Sequence, residues 1–311
     1  KCSSLTSVVW NAKNCKDFSS APFVTSSITS FTFGDGVEYI PDYLCGGMKF
    51  NSIIIPNSVT SIGNSVFEGC TKLTSITIPN SVTQIKSDVF TGCESLTSVD
   101  LPNSITTIGC HFFQDCSSLT SITLPNSITS IQQHAFRGCS SLSSITIPEN
   151  VTSIGYYAFE GCAKLSSVVW NAKKCTDFLS IDYSPFFTYS TVSQITTFTF
   201  GDNVEHIPSY LCCNMKNLAS ITIPNNVTSI GKSVFQNSTS LTSITWNAKN
   251  CTNFTSFPFY EICSQITSFN FGKNVEFIPS YLCYDMNKLT SITSQSDIPP
   301  TIGNDAFYNL D

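Results

Sequence analysis

Apolar and polar residues alternate over short stretches that recur along the whole chain at nearly constant spacing. In residues 73–78 (LTSITI), apolar side chains at alternate positions and β-branched residues favour a short strand with one buried face. Pro79 follows at once, and because proline cannot donate to a strand ladder, the strand is predicted to end there. Residues 80–81 (NS) are typical of a turn, which leads into the next apolar segment.

This strand and turn belong to a longer unit that repeats. Columns of phenylalanine, cysteine and proline recur every 23 residues in the central part of the chain. The members are Phe67, Phe90, Phe113, Phe136 and Phe159, then Cys70, Cys93, Cys116, Cys139 and Cys162, then Pro56, Pro79, Pro102, Pro125 and Pro148. Aligned on their strands, about 13 units of about 23 residues cover residues 1–311. Because such units bury their apolar faces only against one another, we predict one solenoid with like residues stacked in neighbouring coils.

Three variant units begin with tryptophan and keep the apolar spacing of the others. They lie near residues 9–50, 169–217 and 245–288, and open with WNAKNCKDF, WNAKKCTDF and WNAKNCTNF. We interpret them as variant coils of the same solenoid rather than as separate domains.

The middle variant unit also contains an insertion near residues 179–192. Insertions in repeat arrays map to loops, often on a binding face. We expect Tyr183, Phe187 and Tyr189 to be exposed aromatic side chains that contact a ligand, and Phe186 to point inward. The alternative is that all four aromatic residues fill a local cap.

The repeat pattern CxxLxxIxIPxxVxxIxxxxFxG resembles the leucine-rich repeats of the BspA-like bacterial surface family, over essentially the whole chain. The resemblance implies an α/β-type repeat, built as a curved right-handed leucine-rich-repeat solenoid with a parallel β-sheet on its concave face. Because family members resemble adhesins for host extracellular proteins or other microbes, it also implies a binding or adhesion module. We therefore expect a secreted or cell-surface protein, with any signal or anchor segment outside this chain.

The outward positions of the predicted strands carry hydroxyl groups in unit after unit. A serine or threonine occupies the first outward position of each strand, and threonine is common two residues later. The candidate ligand contacts on this face are Ser98, Asp100, Ser121, Thr123, Ser144 and Thr146. Such a broad, almost uncharged face suits an extended protein or glycan bound through many weak contacts. Two alternatives remain: small residues that merely fit a crowded sheet, and a ligand-free spacer or stalk of a larger surface protein.

The chain has 15 cysteines, and 13 of them fall at recurring positions of the repeat. Laddered side chains point the same way, so their Cβ atoms stay about 5 Å apart, too far for an unstrained disulfide. We predict buried free thiols. Zinc would need four converging ligands, commonly with a CxxC pair, and the sequence has no such pair. His111 and His134 should stack on one edge, as surface residues or as part of a metal site; we expect no cofactor.

Charge and composition argue against several other classes of function. With 15 Lys and Arg against 21 Asp and Glu, the chain lacks the basic footprint of a nucleic-acid-binding protein. No apolar run reaches the roughly 18 residues that span a bilayer, so we expect no membrane insertion by this region. Three histidines and no GxSxG motif give little support to hydrolysis. We expect a non-catalytic monomer whose partner is an extracellular protein or glycan.

Overall fold

The alternating segments form short parallel strands, as the pattern predicts. The computed structural model describes residues 4–13, 15–23, 27–187, 194–254 and 257–310. One set of strands carries the outward hydroxyl groups and is called the hydroxyl face. It comprises Ser7–Trp10, Ser30–Phe33, Ser75–Thr77, Ser98–Asp100, Ser144–Ile147, Ser167–Trp170, Thr197–Phe200, Ser220–Ile223, Ser243–Trp246, Ser268–Phe271 and Ser291–Ser294. Alternation decides which side chains face water: Ser75 and Thr77 are exposed and Ile76 between them is buried.

A second set of strands, each two residues long, lies farther along the coils and is called the second face. It comprises Tyr39–Ile40, Ser61–Ile62, Gln84–Ile85, Thr107–Ile108, Ser130–Ile131, Ser153–Ile154, His206–Ile207, Ser229–Ile230, Phe277–Ile278 and Thr301–Ile302. The only helices among the described residues are the 3₁₀ helices Ile181–Tyr183 and Tyr260–Gln265. The expectation of an α/β-type repeat was therefore wrong with respect to α-helices. Among the described residues, turns and two short 3₁₀ helices connect the strands.

The chain divides into two compact units. The first comprises Lys1–Ile145 and Ser153–Leu165, and the second comprises Thr146–Thr152 and Ser166–Asp311. That residues 1–311 form one continuous solenoid stays a prediction, and each unit is described by itself.

In the first unit, partner residues on neighbouring strands are one repeat apart. Strand Ser75–Thr77 pairs in parallel with Ser98–Asp100, and strand Ser7–Trp10 pairs with Ser30–Phe33. On the second face, Ser61–Ile62 pairs with a strand on each side. One repeat along the chain is thus one step from coil to coil.

In the second unit, four hydroxyl-face strands form one parallel sheet. Their order is Ser220–Ile223, Ser243–Trp246, Ser268–Phe271 and Ser291–Ser294. Ser291 pairs with Ser268, and Ser294 pairs with Phe271. The sheet tolerates coils of unequal length because the additional residues lie in the segments that connect the strands, such as the one that contains the 3₁₀ helix Tyr260–Gln265.

The predicted aromatic ladder is confirmed within the first unit. Successive rings from Phe67 through Phe90, Phe113 and Phe136 to Phe159 stack at 5.6, 5.5, 5.3 and 5.2 Å between centroids. All five side chains are buried. Each ring therefore covers the next coil's ring, which a single coil could not do for itself.

Backbone hydrogen bonds join neighbouring coils on two sides. On the hydroxyl face the hydrogen bonds run both ways: Gly34 N–H of a later coil donates to Trp10 O at 2.9 Å, and Ile78 N–H of an earlier coil donates to Asp100 O at 3.0 Å. In the turn segment before each cysteine the earlier coil donates, as when Phe67 N–H donates to Val89 O at 2.9 Å. Because both sides are joined, the coils stay in register even where the strands are only two residues long.

Candidate functional site

The predicted contact residues of the hydroxyl face are all exposed. Ser98 and Asp100 lie on one strand, and Asp100 Oδ2 accepts a hydrogen bond from Thr77 Oγ1 at 3.0 Å. Ser144 and Thr146 likewise project from the strand Ser144–Ile147. The Asp100 carboxylate is thus already engaged by its neighbour, whereas the other positions offer neutral hydroxyl groups.

Ser121 and Thr123 differ from this expectation in one respect. Both are exposed, but residues 121–124 are not part of a paired strand. Leu124 is still buried, so the segment keeps its inward side although its backbone pairing is lost.

The structure describes two of the three aromatic residues of the insertion that are predicted to be exposed. Tyr183 is the last residue of the 3₁₀ helix Ile181–Tyr183 and is 46% exposed. Phe187 is half-buried and therefore less exposed than predicted. Tyr189 lies outside the described residues. Phe186 is buried, as predicted, and its ring meets that of Phe198 edge-on at 6.0 Å. The expectation overlooked Leu179, which is 78% exposed.

An open cleft of about 730 Å³ interrupts the hydroxyl face in the first unit. It lies between the strand Ser30–Phe33 and residues 52–58. Its rim carries the exposed side chains of Thr32, Asp35 and Asn57. Among the described residues, none of these three side chains makes an intramolecular hydrogen bond or ion pair, so all three remain available to a ligand.

A second cleft, of about 430 Å³, repeats this arrangement in the second unit. It lies between the strands Thr197–Phe200 and Ser220–Ile223, which belong to different sheets. Thr199, Asp202 and Asn225 occupy the places of Thr32, Asp35 and Asn57 in the repeat. Their side chains also have no intramolecular polar partner in the described part of the chain. The sequence contained a signal for both clefts in the related segments 30–35 (SFTFGD) and 197–202 (TFTFGD).

The side chain of an asparagine from the preceding coil packs against the turn beside each cleft. The side-chain oxygen of Asn11 sits against Gly34, in the space that a Cβ atom would occupy. Asn171 sits against Gly201 in the same way. A side chain at either position would have to displace the asparagine side chain, so glycine allows this close contact.

In the described part of the third variant unit, no cleft lies at the position that corresponds to the two clefts, and this position is called the closed place. There the strand Ser268–Phe271 pairs with Ser291–Ser294. Thr293 Oγ1 donates to Asn270 Oδ1 at 2.6 Å, so the polar groups of this place satisfy each other. Lys273 replaces the aspartate and lies 3.7 Å from Asp297.

A polar network on the second face has a structural role. Asp177 Oδ1 accepts hydrogen bonds from Ser209 N–H at 2.7 Å and from the His206 ring at 3.0 Å. Partial desolvation alone would raise the pKa of Asp177, but these hydrogen bonds outweigh it and lower the pKa. Asn253 Oδ1 accepts from Ser280 N–H at 2.9 Å in the equivalent place. A residue with a side-chain oxygen therefore ties each variant unit to the next coil.

The equivalent network of the first unit is more highly charged. Lys86 Nζ lies 3.1 Å from Asp42 and 3.5 Å from Asp17. Tyr39 donates to Asp17, and burial together with this contact raises the pKa of Tyr39 to about 12. The network therefore keeps a protonated tyrosine between two carboxylates, which suits a structural contact rather than acid–base catalysis.

The cysteine ladder of the first unit consists of buried free thiols, as predicted. Cys93 Sγ donates to Phe67 O, and Cys116 Sγ donates to Phe90 O, both at 3.1 Å. Desolvation raises the pKa of both thiols, so they stay protonated and unreactive. Cys263 shares the ladder spacing but lies half-buried in the 3₁₀ helix Tyr260–Gln265, because this variant unit is longer.

The predicted histidine stack is also confirmed. The rings of His111 and His134 stack at 5.1 Å, and His111 Nδ1 lies 3.2 Å from Asp88. Burial, then the neighbouring His111 and Arg137, lowers the pKa of His134. In the part of the chain that the structure describes, no three His, Cys, Asp or Glu side chains are grouped as metal ligands.

Comparison with known families agrees with the sequence repeat. The family described as "BspA type Leucine rich repeat region" matches this chain over residues 1–49, 38–166 and 180–311, with six copies of the family's repeat region. The chain belongs to this family. No curated protein sequence matches the chain. Among the described residues, no helix of this BspA-type repeat protein is long and apolar enough to cross a membrane.

Several solved leucine-rich-repeat structures are similar to this BspA-type chain. A leucine rich cell surface protein from Faecalibacterium prausnitzii is 24% identical, covers 93% of this chain and 83% of its own, and has a TM-score of 0.48. A leucine-rich repeat protein from Bacteroides ovatus is 27% identical over 82% of this chain and 72% of its own, with a TM-score of 0.45. A T. pallidum leucine rich repeat protein is 26% identical over 65% of this chain and 81% of its own, with a TM-score of 0.44.

Proposed function

We propose that this chain is a non-catalytic, secreted or cell-surface binding or adhesion module. It recognises an extracellular protein or glycan through the hydroxyl face and the 179–192 loop. The observation that carries the proposal is the row of exposed, neutral hydroxyl groups that recurs from strand to strand, as in Ser75, Thr77 and Ser98. The right-handed curvature, with this face concave, is part of the proposal.

The chemistry of the face suits an extended ligand. Single hydroxyl contacts are weak because each one replaces a hydrogen bond to water. A ligand that spans several coils engages many of them at once, so its affinity rises through multiplicity. Val9 and Ile54 are 69% and 85% exposed on the same face and add apolar contact area.

The 179–192 loop supplies a different kind of contact. Tyr183 and Leu179 are exposed there, and tyrosine is enriched among the residues that dominate binding energy. Phe187 and Tyr189 complete the proposed contact set. The secreted or cell-surface location rests on the chain's membership of the BspA-type family.

The test is binding of the purified chain to immobilised extracellular-matrix glycoproteins and to a glycan array. We expect Ser98→Lys and Ser121→Lys to abolish binding, because a lysine on this face blocks a close contact. Thr106→Lys is the matched control, since Thr106 is exposed just before the second-face strand Thr107–Ile108. Tyr183→Ser and Phe187→Ser test the loop.

Two outcomes would overturn the proposal. Wild-type protein that binds nothing on either surface supports the ligand-free spacer or stalk instead. Binding that survives both hydroxyl-face lysines but is lost in Thr106→Lys would assign recognition to the second face.

A further inference from the structure

The two open clefts are copies of one arrangement. Each combines a threonine on the strand, an aspartate three residues later in the turn, and an asparagine from the following coil. In the first cleft these are Thr32, Asp35 and Asn57. Two regions far apart in the chain therefore present the same donors and acceptors in the same places.

The lining of both clefts is chemically selective. Its polar groups are hydroxyl, amide and carboxylate groups beside apolar side chains such as Phe31 and Ile54, and no lysine, arginine or histidine is among the described lining residues. An anionic ligand would therefore meet a carboxylate and no compensating cation, which disfavours phosphate, sulfate and acidic sugars. A neutral ligand rich in hydroxyl groups matches the lining, because carboxylate and amide oxygens accept hydrogen bonds from its hydroxyls.

An extended peptide cannot insert as a further strand between the two strands that flank the second cleft. Cα atoms of the flanking strands Thr197–Phe200 and Ser220–Ile223 come within 8 Å of each other. An inserted peptide strand would need about 9.5 Å between them. Thr222 also replaces the exposed Ile54 of the first cleft, so the two copies share no apolar anchor for a peptide side chain.

We propose that the clefts at Asp35 and Asp202 are two matched subsites for neutral sugar residues of a glycan. Each aspartate accepts hydrogen bonds from adjacent hydroxyl groups of one sugar ring, and the threonine and asparagine contact the same ring. Both volumes fall within the range of small-molecule sites, about 300–1,000 Å³. This inference rests on the proposed function, in that both use the hydroxyl face, and it commits to a glycan and to these two places.

The third variant unit serves as a built-in control. Its equivalent groups are satisfied by the contact between Thr293 and Asn270, and its aspartate is replaced by Lys273. The same kind of strand thus exists in this chain in open and closed forms. The sugar subsites are expected only in the open forms.

The experiment is methyl NMR of the full chain labelled at the isoleucine δ1 positions. The probes are D-glucose, D-galactose, D-mannose and N-acetyl-D-glucosamine, each titrated separately. We expect at least one sugar to shift the methyl signals of Ile54 and Ile221, which line the two clefts. The signal of Ile292, on the strand that closes the third place, should not move.

Single variants separate the two subsites and report on folding in the same sample. We expect Asp35→Ala to weaken the response of Ile54 about tenfold and to leave that of Ile221 unchanged. Asp202→Ala should do the reverse. Unchanged signals of a buried isoleucine in the mutated unit, Ile62 for Asp35→Ala and Ile207 for Asp202→Ala, show that this unit is folded. Asp297→Ala is the carboxylate control near the closed place.

The result that would overturn the inference is a lack of response at Ile54 and Ile221 to all four sugars, or an unchanged response in Asp35→Ala. If the same protein still binds a matrix glycoprotein through Ser98, the proposed function stands and only the sugar subsites fail. If Ile54 responds to a peptide of that glycoprotein but not to its released glycans, the clefts belong to a protein ligand and this inference is wrong.

Discussion

The regular coils of the first unit and the variant coils that begin with tryptophan use one repeat to different ends. In the regular coils identical side chains stack, as Phe90 does on Phe113 at 5.5 Å, and the surface above them is uniform. Beside the variant strands Ser30–Phe33 and Thr197–Phe200 the hydroxyl face opens into a cleft. Self-stacking thus produces a stable scaffold, whereas departures from it produce the irregular surface that a ligand can distinguish.

Bulky inward residues alone do not explain the clefts. Two phenylalanines lie under each of the three variant strands. Their ring centroids are 5.0 Å apart both for Phe31 and Phe33 and for Phe269 and Phe271. The first place is open and the third is closed. The difference lies in the following strand, where Thr293 bonds to Asn270 and backbone pairing is complete.

The largest expected effect concerns the regular ladder. Phe113→Ala should lower the free energy of unfolding by about 3–5 kcal/mol, because it leaves a cavity between two stacked rings. Urea unfolding measures the change. Tyr183→Ala, at an exposed ring, should change stability by no more than about 0.5 kcal/mol. A loss under about 1 kcal/mol at Phe113 would show that the ladder does not support the coils.

The next effect tests Ser238, which stands in the second unit at the position of the ladder cysteines. Ser238 is fully buried, donates to Cys212 O at 2.8 Å and accepts from Met215 N–H at 3.2 Å. Ser238→Ala should cost about 1–3 kcal/mol because it leaves a buried N–H without a partner. Ser238→Cys should cost less, since the ladder thiols make the same contact to a carbonyl. Equal losses in urea unfolding would contradict this equivalence.

A smaller effect depends on pH. Partial desolvation alone would raise the pKa of Asp42, but hydrogen bonds from Asn64 and Lys86 lower it below its ordinary value of 3.8. The unfolded chain therefore binds this proton more readily, so the stabilisation is present above about pH 4 and is lost as the pH falls further. Asp42→Asn should cost about 1–2 kcal/mol at pH 7 and less at pH 3. A pH-independent difference in thermal unfolding would refute this assignment.

The smallest effect on stability is expected on the hydroxyl face itself. Ser98→Ala removes an exposed hydroxyl group and should change the free energy of unfolding by less than about 0.5 kcal/mol. Its effect should appear in ligand binding instead. A marked loss of stability would favour the alternative, in which the serines are present because they fit a crowded sheet rather than because they bind a ligand.

Much of the fold was predictable because it depends on spacing. Phe67 and Phe90 are 23 positions apart, and stacking requires nothing beyond equal coil lengths between them. The same reasoning predicted the buried thiol of Cys116 and the stacked ring of His134. It failed at Cys263, because a longer variant unit moves this residue out of the column and into a 3₁₀ helix.

The candidate site was predictable only in part. Exposure of Ser98 and Ser144 follows from strand alternation, which is a local property of the chain. Exposure of Leu179 and the half-burial of Phe187 depend on how the inserted residues fold against their neighbours. Periodicity carries no information about residues that fall outside it.

By itself, the sequence determined that this chain consists of stacked coils with phenylalanine and cysteine ladders inside and hydroxyl groups outside. These features follow from which side chains recur and at what interval. Only the tertiary structure decided where neighbouring strands pair and where they part, and so where Asp35 and Asp202 stand at open clefts while Lys273 does not. Pairing is settled by contacts between two coils at once, and no single repeat contains both partners.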